Sequence, residues 1–283
     1  MEIGIFEKVF PRPDLATTLD AVRAHGLGAV QFDLASAGLP SLPDHVDPAH
    51  ATAIRQALAA RGITMAAVSG TFNIIHPDEA ARRDGMRRLC ALAAACATLG
   101  TSTITLSTGT RNADNMWRSH PDNATPAAWR DMVQAMAEIA ALGEACGVMM
   151  AFEPEVSNVV DSAPKARRLL DELGSAHVGV VIDGANLFHT GELARMEAIL
   201  DEAFDLLGGQ IVLAHAKDLD RDGEAGNRPA GHGVLDYDRY VRLLDRAGYT
   251  GALVLHGLAE QEVAGCVAFL RAKLATIPPA TRG

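Results

Sequence analysis

Residues 125–153 read TPAAWRDMVQAMAEIAALGEACGVMMAFE, and the order of patterns within them decides the fold. From Thr125 onward the apolar residues return every three or four positions, as on one face of an α-helix, until Gly147, a residue suited to a helix C-terminus. The pattern then changes to a short apolar run, VMMAFE, that stops at a carboxylate. The same succession recurs along the chain. Strand candidates are EIGIF (2–6), AVQFDL (29–34), ITMAAVS (63–69), TSTITLS (101–107), VMMAFE (148–153), HVGVVID (177–183), QIVLAHAKD (210–218) and ALVLHG (252–257). Helix-patterned stretches such as PDLATTLDAVRAHG, PAHATAIRQALAARG and DEAARRDGMRRLCALAAACATLG separate them.

Strands that alternate with helices pair in parallel, because each is reached by a crossover, and eight such units close most simply into a (β/α)8 TIM barrel. A doubly wound open sheet is the alternative, but neither GxGxxG nor GxxxxGK[ST] follows any strand. One α/β domain over 1–283 is therefore expected. At 283 residues and 48% hydrophobic content, a single core burying roughly 75% of the unfolded surface is feasible.

The opening MEIGIFEKVFPRPD carries charges within its first eight positions, and no apolar run reaches the roughly 18 residues a span requires, so no signal peptide or membrane segment is read and a cytoplasmic location is expected. Cys90, Cys96, Cys146 and Cys266 lie singly in helix-like segments without CxxC spacing, as reduced thiols acting as small hydrophobes do. A net charge of -10 argues against a nucleic-acid partner, which requires a basic surface. A homo-oligomer is compatible with all of this and not decided by it.

In a TIM barrel, side chains at the C-terminal ends of the strands gather around one mouth. Here the fifth run ends in Glu153, the sixth in Asp183, the seventh carries His215 and the eighth ends in His256. Singly, each has a plain structural reading: a first solvated residue past a strand, an Asp-Gly turn, a core histidine satisfied by one carbonyl. Together they place acid, acid, histidine, histidine at equivalent points of four neighbouring strands. A divalent metal accounts for the set, since the cation compensates the carboxylates and takes neutral imidazole nitrogen as a ligand. The expected ligands are Glu153, Asp183, His215 and His256.

At these residues the chain resembles the sugar isomerase/epimerase superfamily with a xylose isomerase-like TIM barrel, which also includes ketose 3-epimerases, inosose dehydratases and endonuclease IV. The resemblance runs through AFEPE (151–155), VVIDGANLFH (180–189), LAHAKD (213–218) and GHGVLDY (231–237) and covers essentially the whole chain. Two departures stand out. The ketose 3-epimerases usually end the eighth strand on a glutamate that is both ligand and acid/base group, where this chain has His256. They commonly carry a histidine three residues after the sixth-strand aspartate, where this chain has Asn186, with His189 three further on. The endonuclease branch needs more histidines and carboxylates than this mouth offers.

The resemblance implies an isomerase or epimerase acting on a sugar or sugar acid, and the acidic eighth loop, Glu260 and Glu262, favours an unphosphorylated one. A divalent ion chelated by neighbouring carbonyl and hydroxyl oxygens stabilises the enediolate left by proton abstraction beside the carbonyl. Glu153 is the candidate base, with Lys217 or Glu155 as the second proton-transfer group; His256 can serve only if its available nitrogen is not on the metal. A lyase or dehydratase working by β-elimination on an oxidised sugar is the alternative, because the missing glutamate leaves one base and one Lewis acid. A barrel that binds sugar without turning it over is the third. Two carboxylates and two imidazoles favour Mn, Fe, Co or Zn over Mg, and the resemblance implies manganese.

Two long connections are expected to form a lid over the mouth. The one after strand four, TGTRNADNMWRSHPDNATP, offers Arg111, Trp117, Arg118 and His120; the one after strand seven, LDRDGEAGNRPAGHGVLDY, offers His232. Trp117 is a candidate sugar-stacking platform. Asn186, His189 and Asp218 complete the expected substrate contacts, with Asp218 pairing with Lys217 as its bland reading, and Asn73 and His76 are weaker candidates. Glu260 and Glu262 after strand eight would repel the phosphate that many TIM barrels hold there.

Overall fold

A computed structural model describes residues 1–277. Eight strands alternate with eight helices in the order β1 (Glu2–Phe6), α1 (Leu15–Ala24), β2 (Ala29–Phe32), α2 (Pro48–Ala59), β3 (Thr64–Ser69), α3 (Glu79–Leu99), β4 (Thr103–Ser107), α4 (Pro126–Cys146), β5 (Met149–Glu153), α5 (Ala163–Leu173), β6 (Val178–Asp183), α6 (Met196–Leu207), β7 (Ile211–Asp218), α7 (Tyr237–Arg246), β8 (Ala252–Leu255) and α8 (Val263–Leu274). Each strand pairs in parallel with the next, and β8 pairs with β1 through Gly4 against Val254 and Ile5 against Leu255, which closes the barrel.

The helices begin where the chain supplies an acceptor for their free amides. Asp14, Asp47, Asp78, Thr125 and Asp236 each cap a first turn with a side-chain oxygen. At the far end of α4, Gly147 adopts φ +64°, the left-handed cap that turns the chain into β5 within two residues. This local stop produces the helix-to-strand switch seen in residues 125–153.

Side chains alternate across each strand. One set packs outward against the helices in the main core. The other fills the barrel with a small cluster of Phe6, Ala29, Ala67, Ala151, Val181, Leu213, Ala252 and Val254. The alanines keep the interior narrow, and the next inward position up each strand reaches the C-terminal mouth. None of the described helices is long and apolar enough to cross a membrane, and all four cysteines are free.

Both long loops have more structure than their composition suggests. Pro121–Ala124 forms a 3-10 turn, and a two-residue strand, Arg228–Pro229, folds back antiparallel onto Lys217 and Asp218. The 3-10 turn bonds within itself, from the amides of Asn123 and Thr125 to the carbonyls of His120 and Asp122, whereas the two-residue strand is set by its partners on β7.

Candidate metal centre at the barrel mouth

The inward alternation delivers the site. Two residues above Ala151 comes Glu153, above Val181 comes Asp183, and above Leu213 come His215 and then Lys217. His256 lies one residue beyond the end of β8 rather than on it, yet it continues the inward series Ala252, Val254. Its ring meets that of His215 edge-on, with centroids 4.8 Å apart, and sits 6.1 Å from the ring of Phe6.

Asp183, His215 and His256 offer ligand atoms that all lie within 4.8 Å of one another. Glu153 joins them through His215, with its Oε1 3.4 Å from Nδ1, while Asp183 Oδ2 lies 3.8 Å from the same nitrogen. The other imidazole nitrogen, Nε2, lies 2.7 Å from Gln31 Oε1. A carbonyl oxygen accepts only, so Nε2 carries a proton, and Nδ1 is the nitrogen that faces the two carboxylates. With a cation between them, Nδ1 would be the ligating nitrogen, oriented from outside by Gln31. Asp183 Oδ1 accepts from the amide of Ala185, but Oδ2 is fully buried with no hydrogen bond. Two carboxylates, one of them with a buried oxygen that makes no hydrogen bond and faces only cationic or imidazole nitrogen, and two imidazoles suit a divalent cation in chemistry and placement.

Lys217 is 5% exposed with Nζ 3.3 Å from Asp183 Oδ2 and 3.0 Å from Asn186 Oδ1. Asn186 passes the contact on by donating to Glu153 Oε1 at 2.6 Å and accepting from the amide of Gly226. Burial opposes the charge on Lys217, but Asp183, Glu153 and Glu155 outweigh it and hold the ammonium above its ordinary range. For Glu153 burial again acts upward, and His215, Lys217 and Asn186 together overcome it, so the carboxylate stays below its usual value. Burial keeps Asp183 raised against the pull of Lys217. Glu155 is pushed up to about 7 by burial and by Glu153, with Lys217 acting against them, and its buried Oε1 has no hydrogen-bond partner. His256 is held well below its normal value by burial, aided by Lys217, His215 and Lys8, and so stands as the neutral imidazole that binds metal.

The structure thus gathers Glu153, Asp183, His215, His256, Lys217, Glu155 and Asn186. It places the remaining expected residues elsewhere. Asp218 does not pair with Lys217: its carboxylate accepts from the amides of Leu219, Leu235 and Gly231 and pins the β7–α7 loop. Arg111 is drawn away by Ile75 O and Asp131, and His120 caps its own turn by accepting from the amide of Asp122. Trp117 is 57% exposed and covers nothing. His189 is half-exposed beside Asp161, and His232 is exposed. Asn73 ties its loop to Thr110, and His76 bonds to Ala113 O. Glu260 is engaged by Arg12, and Glu262 accepts from the amide of Ala259.

Three buried polar residues near the mouth escape a reading of strand ends: Gln31, Glu7 and Asn158. Gln31 had a signal, a polar residue at an inward position of AVQFDL. The tyrosines of α7 support the site from outside. Tyr240 Oη lies 3.1 Å from Ile182 O and 2.9 Å from His215 O, which holds the ends of β6 and β7 together. Tyr240→Phe should cost about 1 kcal/mol in urea unfolding; an unchanged midpoint would show that the clamp contributes nothing.

A closed parallel barrel whose mouth gathers a candidate set of divalent-metal donors defines the class of protein. The chain belongs to the family of xylose isomerase-like TIM barrels, whose sequence profile matches residues 19–272. Solved structures with the same fold include the 3-keto-D-glucoside 4-epimerase YcjR from E. coli, 18% identical over 96% of this chain and 99% of that one, TM-score 0.73. Another is the IOLI protein with a bound zinc atom, 16% identical over 97% and 98%, TM-score 0.75. A third is the probable 3-DHS dehydratase AsbF from Bacillus anthracis, 13% identical over 96% and 99%, TM-score 0.70. At these identities the likeness speaks for the fold. No curated protein sequence matches the chain significantly.

Proposed function

We propose that this protein is a divalent-metal-dependent sugar isomerase or epimerase that abstracts a proton beside a carbonyl of an unphosphorylated sugar or sugar acid. The observation that carries this reading is the convergence of ligand atoms of Asp183, His215 and His256 within 4.8 Å of one another, with Asp183 Oδ2 buried beside Lys217. Glu153, Asp183, His215 and His256 would hold the ion, with manganese, iron, cobalt or zinc better suited to two imidazoles than magnesium. When bound, such an ion polarises a carbonyl and stabilises the charge that develops on its oxygen.

The residues supply the proton steps. Glu153 keeps Oε1 on Asn186 while its Oε2 makes no hydrogen bond in the structure, so Oε2 takes the proton from the substrate carbon. Lys217 Nζ, held charged, or the carboxyl of Glu155, poised near 7, returns a proton to the same carbon or to its neighbour. The epimerase and zinc-containing relatives in fold support this reading.

The absence of a carboxylate at position 256 favours a second reading, elimination of water from an oxidised sugar. Glu153 then takes the proton, the C–O bond on the next carbon breaks, and Glu155 protonates the departing hydroxyl. The dehydratase relative makes this a live alternative.

The test combines metal content and isotope exchange. Purified native protein should hold about one divalent ion after dialysis, and His256→Ala should lose it. Equal metal in both would free His256 for acid/base work, and no metal in either after supplementation would end the reading. Solvent deuterium should enter ketoses, aldoses or sugar acids incubated with loaded protein. Growth of an enone or enol absorbance would select the elimination, while thermal protection by ligand without exchange would mark a pure binder.

A further inference from the structure

Building on the metal-dependent reading above, we infer that the substrate carries a carboxylate on its sugar chain and that Lys8 receives it. Glu153 and Asp183 bring two negative charges to the candidate ligand cluster and the two histidines bring none, so a divalent ion held there leaves the cluster neutral. A third carboxylate in place of His256 would have left it negative. Lys217 is offset when Glu155 is ionised and adds a positive charge when Glu155 carries its proton, so the loaded mouth carries no net negative charge and the rim decides what it attracts.

On the rim, Lys8 is exposed and forms no ion pair or hydrogen bond among the described residues. Its Nζ rests over the Phe6 ring, 4.0 Å from the centroid, a seat that pre-orders the cation without neutralising it. The Phe6 ring is also the neighbour of His256, so Lys8, Phe6, His256 and His215 form a row from rim to ligand cluster. A five- or six-carbon sugar chelated at one end would span such a row. Among the flanking carboxylates, buried Glu7 keeps its proton up to about pH 8, Glu260 is paired with Arg12, and Asp33 turns Oδ1 to the amide of Ala35 and makes no ion pair with Lys8. Lys8 is thus an unpaired positive charge beside a loaded mouth that carries no net negative charge, in a protein of net charge -10. That local field favours an anion where the protein as a whole does not.

Calorimetric titration of metal-loaded protein, its ion content fixed by elemental analysis, tests this with D-glucuronate and D-glucose, which differ in one carboxylate remote from the reducing end. Glucuronate should bind about fivefold more tightly. Lys8→Met should abolish that preference, Lys8→Arg should keep it, and added sodium chloride should shrink it. Equal affinities, the same preference in Lys8→Met, or no glucuronate binding by protein that holds its ion would overturn the inference and leave the metal reading standing. Tighter binding of glucose 6-phosphate than of glucuronate would overturn the assignment of a carboxylate. A protein that holds no ion would overturn both.

Discussion

Lys217→Met is expected to lower the stability of the metal-free protein by about 3–5 kcal/mol, the scale for removing one partner from a buried charge cluster. The ammonium lies 3.3 Å from Asp183 Oδ2, and Asp183, Glu153 and Glu155 all act on it. Without it, three neighbouring carboxylates face one another with little water between them. In a domain of this size that is a fall in Tm on the order of 10 °C. The loss should be smaller at pH 5 than at pH 8, since protonation relieves the repulsion. Saturating divalent metal should restore most of it, because a cation at Asp183 and Glu153 does the electrostatic work that Lys217 does alone. Melting curves with and without metal check this. An equal loss in both would place any bound ion outside the cluster.

The second large effect lies at Glu7, which is completely buried on the 3-10 turn after β1. Its Oε1 accepts from the amide of Asp33 at 2.8 Å, while Oε2 has no partner. Burial pushes its carboxyl up to about 8, with the Asp33 amide and Ser36 acting downward. The folded state therefore binds this proton more tightly than the unfolded chain. Below about pH 4.5 both states carry it and nothing is lost. Between about 4.5 and 8 the unfolded chain releases the proton while the folded chain retains it, so stability declines as pH rises, by about 5 kcal/mol across the window. Glu7→Gln should remove that slope and make the protein more stable than wild type at pH 8 and above. Urea unfolding at pH 5, 6.5 and 8 measures it, and parallel slopes for the two proteins would sink the assignment.

These two residues illustrate what can be seen in a sequence. Glu7 interrupts the apolar run IFEKVF, which marks it as unusual, but nothing local says that the Asp33 amide will meet it. Lys217 sits in LAHAKD, where its pairing with the adjacent Asp218 is the natural reading of neighbouring opposite charges. In a strand, consecutive side chains point to opposite faces. Lys217 therefore turns inward to Asp183 and Asn186, and Asp218 turns outward to hold a loop. The lid residues were the least legible, because Arg111, His120 and Trp117 belong to a loop whose path depends on Asp131, Ile75 and its own turns.

The sequence by itself determined the eightfold alternation, the closure into a parallel barrel, the strand-end positions of Glu153 and Asp183 and the place of His215 on the seventh strand. Periodicity and capping act over a few residues and need no distant partner. Only the tertiary structure decided which nitrogen of His215 faces the carboxylates, that Gln31 orients it, that Lys217 joins the cluster, and that the lid candidates stand away from it. Those outcomes depend on contacts between residues tens to hundreds of positions apart, such as Gln31 with His215. They come into being only when the barrel closes and the inward positions of its strands share one mouth.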